Sequence, residues 1–270
     1  MEKRKKCRRK FFFYLLMFCF GIYFSFQYFL KFEGVIQDAY SKFFFDLAFP
    51  DYEVTDEEDT DSSLVKDKEK EPVVYLYNSH PTEEYGNNPL YPSVTVTTVN
   101  HIIETKLQQN NCPTISEDKS VATILKENNW NYASSYRASR ILMEEAKKKY
   151  SSLSYFIDVH RDSLDKKRTT VLIEDKSYAS LLFLIGLENP NYSLNYEFTD
   201  RIKKKLDEKY PGLCKGIMQK GGIGVNGVYN QDFSPYTILI EVGGEENTVS
   251  EITNSALAFS ECFLEVYYEG

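Results

Sequence analysis

Only three histidines occur in the sequence, and two of them close runs of strand-forming residues, His80 at the end of VVYLYNSH and His160 at the end of YFIDVH. In an open α/β sheet the ligand site lies outside the carboxyl ends of the strands, so both imidazoles can converge on one crevice. Glu83 follows His80 by three residues. A short-range chelate completed by a distant ligand is the pattern of a catalytic zinc site, with its fourth position left for water. Taken singly, each histidine fits equally well as a hydrogen-bonded, partly buried side chain. His101 stands at the start of a helical pattern and reads as structural or surface.

A further strand ends in an acid, because TILIEVGG places Glu241 at the carboxyl end of a strongly apolar run, followed by Gly243 and Gly244. Zinc lowers the pKa of water toward about 7, and beside it Glu241 is the natural general base. Alone, it would serve as a salt-bridged strand-end acid. Asp158, Arg161 and Asp162 bracket His160 in IDVHRD. Either aspartate can hold the second nitrogen of a ligand imidazole, and Arg161 has the fork geometry to pair a substrate carboxylate. Without the histidine the same three residues would suit a solvated loop. There is no G-x-S-x-G elbow, no P-loop and no catalytic cysteine signature. The GGIGVNG run from Gly221 to Gly227 is not placed between a strand and a helix, and it reads as an active-site or surface loop.

These side chains need a scaffold to bring them together. Short continuous apolar runs at residues 73–77, 155–159, 181–185 and 238–242 read as buried strands. Between them, helical spacing recurs at Val99, Ile102, Ile103 and Leu107, at Tyr136, Met143, Ala146 and Tyr150, and at Leu194, Phe198, Ile202 and Leu206. A last set is Val249, Ile252, Ala256, Phe259 and Phe263. The alternation predicts an α/β fold with a mixed, largely parallel sheet flanked by helices. A hairpin is expected within it, from residues 171–174 through Asp175 and Lys176 into residues 177–185.

The chain has 270 residues and a net charge of −8, but the charge is unevenly spread. Residues 1–10 form a basic tail, and residues 11–30 contain no charged side chain, a length that crosses a ~30 Å hydrocarbon core as a helix. This apolar run exceeds the 7–15 residues of a signal-peptide core, and no A-x-A cleavage site follows it. A retained single-pass anchor is therefore expected, with the basic flank cytoplasmic and everything after Lys31 outside. Residues 31–71 read as an aromatic-rich juxtamembrane stretch over 32–49 followed by an acidic tether over 51–71, the tether too poor in apolar side chains to offset ordering entropy, and residues 72–270 as the catalytic domain. No basic face for nucleic acid stands out. Five scattered cysteines without a C-x-x-C pair argue against a cysteine metal site.

Seven ordered blocks carry a family likeness: VYLYNSHPTEEY, YASSYRASR, SYFIDVHRDS, LFLIGLENPNY, KYPGLCKGI, GVYNQDFSP and ILIEVGGEENT. In these blocks, and in its basic tail, single span and external domain, the chain resembles the stage II sporulation protein P family of N-acetylmuramoyl-L-alanine amidases. The resemblance implies a zinc amidase-like fold acting on peptidoglycan, cutting between the muramic acid lactyl carbonyl and L-alanine. It implies His80, Glu83 and His160 as zinc ligands, with Glu84 an alternative to Glu83, and Glu241 as the catalytic glutamate. Arg140, Arg161, Asp158, Asn230 and Asp232, together with Tyr136, Ser139, Asn189 and Gln231, would line the groove or support the ligands. It also implies a membrane complex with a lytic transglycosylase during engulfment. Two other readings fit the residues: a non-catalytic wall-binding scaffold, and a zinc endopeptidase acting on the stem peptide.

Overall fold

The computed structural model describes residues 70–86 and 94–269. The basic tail, the expected span and nearly all of the tether lie outside the described residues, among which no helix is long and apolar enough to cross a membrane. In chain order the strands are β1 (Val74–Tyr77), β2 (Glu84–Tyr85), β3 (Val94–Thr95), β4 (Thr114–Ser116), β5 (Tyr155–Asp162), β6 (Thr170–Ile173), β7 (Lys176–Ala179), β8 (Leu181–Gly186), β9 (Cys214–Lys220) and β10 (Tyr236–Gly244). The helices are α1 (Val96–Gln109), α2 (Val121–Glu127), α3 (Ser135–Lys149), the single turn α4 (Lys166–Thr169), α5 (Tyr192–Lys209) and α6 (Val249–Glu269).

Six strands form the main sheet in the order β4-β1-β5-β10-β8-β9. The first four run parallel, whereas β8 is antiparallel to β10 and β9 follows β8, so the sheet is mixed as expected. Strands buried on both faces must be apolar throughout, which is why β1 reads VYLY without alternation. On one face Ile157, Val159, Ile238, Ile240 and Val242 pack with the apolar stripes of α1, α5 and α6. On the other, Tyr75, Tyr77 and Phe156 pack against Met143 of α3. Asp158 and His160 alternate with Ile157 and Val159 along β5, so they point to the α3 side.

The hairpin is shorter than the apolar run suggested. Residues 176–179 pair with 170–173, but the chain turns at Ser180 and residues 181–186 join the main sheet instead. Ser180 donates its N–H to the Thr169 carbonyl at 2.7 Å and accepts from Gly243 N–H at 2.8 Å, so its hydrogen bonds go to two different partners and divide one apolar run between two sheets. β9 escapes sequence periodicity because an edge strand with one exposed face needs few apolar residues, and CKGIMQK has few. In α5 the expected Leu194 is 49% exposed, while Phe198, Ile202 and Leu206 are buried. Cys112, Cys214 and Cys262 are free, buried thiols.

α6 starts five residues beyond β10, and its first turn is built around Glu251. Thr248 Oγ1 accepts from Glu251 N–H at 3.3 Å, and Glu251 Oε2 accepts from Thr248 N–H at 2.8 Å, a reciprocal cap of the helix start. The same carboxylate takes the Asn247 amide at 3.1 Å and the Ser177 hydroxyl at 3.0 Å, tying α6 to the β6–β7 hairpin. Glu251→Ala is expected to lower stability by about 1–3 kcal/mol, since it removes the cap and strands two donors. Urea unfolding checks this, and an unchanged midpoint would show that the network contributes nothing.

Candidate metal centre

The site grows from the end of β1. Asn78 clamps the turn beyond that strand: its Nδ2 donates to the Val159 carbonyl at 2.7 Å, its Oδ1 accepts from Asn100 Nδ2 at 2.7 Å, and its N–H points to Glu117 Oε2 at 3.3 Å. The next residue, Ser79, donates its N–H to Asp158 Oδ1 at 2.9 Å and its hydroxyl to Asp158 Oδ2 at 2.7 Å. His160 Nε2 lies 2.9 Å from Ser79 Oγ and 3.1 Å from Asp158 Oδ1. These acceptors assign the Nε2 proton to His160 and turn Nδ1 toward the crevice.

The side chains of His80, Glu83 and His160 meet there, with their candidate donor atoms within 4.8 Å of one another. Glu83 N–H closes a turn onto the His80 carbonyl at 3.2 Å, which is why an i, i+3 pair can face one point. Glu83 Oε1 lies 3.5 Å from His80 Nδ1 and Oε2 lies 3.3 Å from His160 Nδ1, while Arg161 N–H donates to Oε2 at 3.0 Å. Glu84 points to solvent, and only its carbonyl takes part, accepting from Arg161 Nε at 2.7 Å. Of the two neighbouring acids, Glu83 is the one whose carboxylate joins the histidines.

Burial works to raise the Glu83 carboxyl, but hydrogen bonds from His160, His80 and the Arg161 amide outweigh it and hold the group at about 2. Burial works to lower His160, yet the charge and hydrogen bond of Asp158, helped by Glu83, lift it well above its ordinary value. A proton on Nδ1 thus balances two carboxylates in a buried site, and a divalent cation would do the same. Two nitrogens and a carboxylate oxygen, with an aspartate behind one imidazole, suit such a metal.

Glu241 sits beside His160 in the parallel register of β10 and β5, and so shares its face of the sheet. Its Oε2 is buried without a hydrogen-bond partner. Burial raises the carboxyl to about 7, the nearby His160 charge opposing and Glu83 and Asp162 assisting. A buried carboxylate oxygen that no protein donor satisfies, poised near neutrality beside a chelate, is equipped to accept a proton.

The remaining expected residues divide into supports and others. Asn230 Nδ2 donates to the Tyr136 carbonyl at 2.9 Å and to Ser139 Oγ at 3.0 Å, and Arg140 pairs with Asp232 at 2.8 Å, so this set braces α3 outside the cluster. Gln231 bridges the Leu184 carbonyl and Gly186 N–H, while Asn189 donates to the Gly186 carbonyl. The Arg161 guanidinium is engaged by protein acceptors, at the Glu84 and Asp162 carbonyls and Glu245, and Asp162 accepts from Leu164 N–H. His101 is exposed on α1. The Gly221-to-Gly227 loop lies at the surface, held where Gly222 N–H meets Glu188 Oε1 at 2.7 Å. Two participants escaped the sequence reading. Ser79 holds Asp158, and Tyr132 stacks on His80 with ring centroids 5.1 Å apart while half its surface stays exposed. Adjacency to His80 could have flagged Ser79, but nothing local flags Tyr132.

A mixed α/β domain with a histidine–carboxylate centre at its strand ends is the class that fold and geometry define. The family described as Stage II sporulation protein P matches residues 45–264 of the chain. The chain is also 34% identical over 206 residues to Stage II sporulation protein P of Bacillus subtilis (strain 168), a match covering 73% of this chain and 51% of that one. The chain belongs to the stage II sporulation protein P family, and it spans about half the length of the curated relative it matches. Among solved structures, it is similar to the CwlD amidase from Clostridioides difficile in complex with the GerS lipoprotein, at 13% identity and a TM-score of 0.48 over 73% of this chain and all of that one. It is similar also to the N-acetylmuramoyl-L-alanine amidase AmiC2 of Nostoc punctiforme, at 10% identity and a TM-score of 0.39 over 73% of this chain and 98% of that one.

The raised Glu241 carboxyl makes a pH prediction for metal-free protein. Below pH 4.5, the ordinary value, the group is protonated in both folded and unfolded states and costs nothing; its cost grows as pH rises to about 7. The wild type is therefore expected to lose on the order of 3 kcal/mol relative to Glu241→Gln across that window. Parallel stability-against-pH curves for the two proteins would contradict the buried, orphaned state of this acid.

Proposed function

We propose that this chain is a zinc-dependent N-acetylmuramoyl-L-alanine amidase, anchored in the cell membrane with its domain outside, that hydrolyses peptidoglycan during sporulation. The observation carrying this reading is the unpartnered Glu241 carboxylate oxygen, buried beside the His80, Glu83 and His160 cluster. A wall-binding scaffold has no use for a buried acid without a partner, which costs folding free energy. Membership of the sporulation family supports the setting, and the work with a lytic transglycosylase on the same wall is part of the proposal.

His80, Glu83 and His160 would hold zinc, which when bound supplies Lewis acidity at the scissile carbonyl and makes water more acidic. Glu241 accepts the proton of the attacking water as its oxygen bonds the lactyl carbonyl carbon. As the C–N bond breaks, Glu241 returns that proton to the departing amine of L-alanine. A carboxyl held near neutrality by burial can do both. Asp158 and Ser79 keep the His160 ring fixed throughout, and the Tyr132 and Tyr136 rings wall in His80.

Glu241→Gln is expected to keep fold and zinc content while releasing peptide from purified sacculi 10²- to 10⁴-fold more slowly, because the amide cannot accept the proton. His80→Ala and His160→Ala should lose zinc by metal analysis. Mass spectrometry of the wild-type digest should find new L-alanine amino termini, and cuts within the stem peptide instead would make the protein an endopeptidase. Near-normal turnover by Glu241→Gln would remove this residue from the mechanism. The topology is tested separately: a reporter fused after Gly270 should be active only outside the cytoplasm, since the positive flank precedes the apolar run. Activity inside would overturn the orientation.

A further inference from the structure

The amidase reading leaves one question of recognition open, because the arginine best placed to meet a substrate carboxylate is occupied. Arg161 gives Nε, Nη1 and Nη2 to Glu84, Asp162 and Glu245, and Arg140 is bound to Glu144 and Asp232. Basic side chains that remain free near the Glu241 face lie two strands away, on β9.

The register fixes which they are. Glu241 pairs with Leu182 and Leu239 with Leu184 across β10 and β8, and then Leu184 pairs with Met218 and Gly186 with Lys220 across β8 and β9. Paired residues share a face, so Leu182, Met218 and Lys220 extend the surface that carries Glu241. Lys215 joins them, because its neighbour Cys214 packs into the core on the opposite face. Met218 is 41% exposed and Lys215 is exposed, whereas Leu184 on the same face is buried against Tyr229 and Tyr136, so the uncovered part of this face is on β9. The β8–β9 register shift, with Gly216 at φ +136°, opens the strand just there.

Among the described residues neither lysine takes part in an ion pair, whereas Lys119, Lys166, Lys203, Lys204, Lys205 and Lys209 all do. Both lysines can therefore pair with an anionic ligand on a chain of net charge −8. The Lys220 charge reaches Glu241, whose carboxyl it helps to lower. Two strand spacings, about 10 Å, separate Lys215 from the level of Glu241, a distance that roughly three extended residues span, and Lys220 lies four residues further along the sheet, about 13 Å beyond that level.

We propose that Lys215 and Lys220, flanking Met218 on β9, bind carboxylates of the peptide half of the substrate, Lys215 within its first three residues and Lys220 further along the peptide. The inference rests on the amidase reading and deepens it by orienting the substrate. The peptide leaves the cluster across Glu241 and Leu182 toward β9, and the sugar lies on the other side, by the exposed ring of Tyr132.

The test uses the full-length chain in detergent with two synthetic muramoyl peptides of the same sequence, one with free carboxylates and one with carboxamides. Replacing each lysine by glutamine should raise KM for the free-carboxylate peptide about three- to fivefold, and the double change about tenfold, with the effect shrinking in salt. The wild type should show a similar loss on passing to the carboxamide peptide. Lys126→Gln, which removes the same charge from α2, should leave KM alone. Equal KM values for the two peptides, or no response to the double change, would overturn the proposal. Anisotropy of the same peptides, fluorescently labelled, on Glu241→Gln reads binding without hydrolysis. If the wild type cleaves neither peptide, the amidase reading fails, while a carboxylate- and lysine-dependent anisotropy would still uphold the lysine site and its absence would reject it.

Discussion

Asp158 is fully buried, and its carboxylate accepts the backbone and hydroxyl of Ser79 while facing the imidazole of His160. A carboxylate without water must be satisfied by protein donors, and these come from the turn after β1 and from its own strand, β5. Meeting that demand fixes where the β1 turn stops, so that His80 is delivered beside His160. It also fixes which imidazole nitrogen is free. The centre is thus organised from beneath, by a fully buried group.

Strand order does the rest of the positioning. β1, β5 and β10 are neighbours running in one direction, so their carboxyl ends bring His80, His160 and Glu241 into a row although 161 positions separate the first from the last in the chain. Parallel pairing sets Glu241 level with His160, and alternation keeps both on the face away from the main apolar core. That face is only partly roofed. α3 covers β1 and β5, Tyr229 covers Leu184 of β8, and Met218 of the edge strand β9 stays exposed.

Two glutamates of the same chemistry are driven apart by their surroundings. Glu83 receives two imidazoles and a backbone amide and is held near 2, while Glu241 receives no hydrogen bond at Oε2 and drifts up to about 7. The first is a permanent anion suited to a cation. The second lies in the range where a carboxyl gains and loses a proton near neutrality, so the two like groups are set apart by environment alone.

The sequence by itself determined the four central strands β1, β5, β8 and β10 and the residues at their ends, because a buried strand needs a continuous apolar run and the end of that run is readable. His80, His160 and Glu241 were visible for that reason, as was the mixed α/β class. What local pattern could not decide was every matter settled by partners distant in the chain. Glu83 rather than Glu84 joins the histidines because Arg161, 78 positions away, gives its amide to one and its side chain to the backbone of the other. The apolar run after Asp175 divides at Ser180 because Thr169 and Gly243 claim its two backbone groups. Tyr132 reaches His80, and the edge strand β9 lines up with Glu241, only through packing and register. Periodicity records which side chains avoid water, whereas pairing energy between remote backbone groups decides which of them meet.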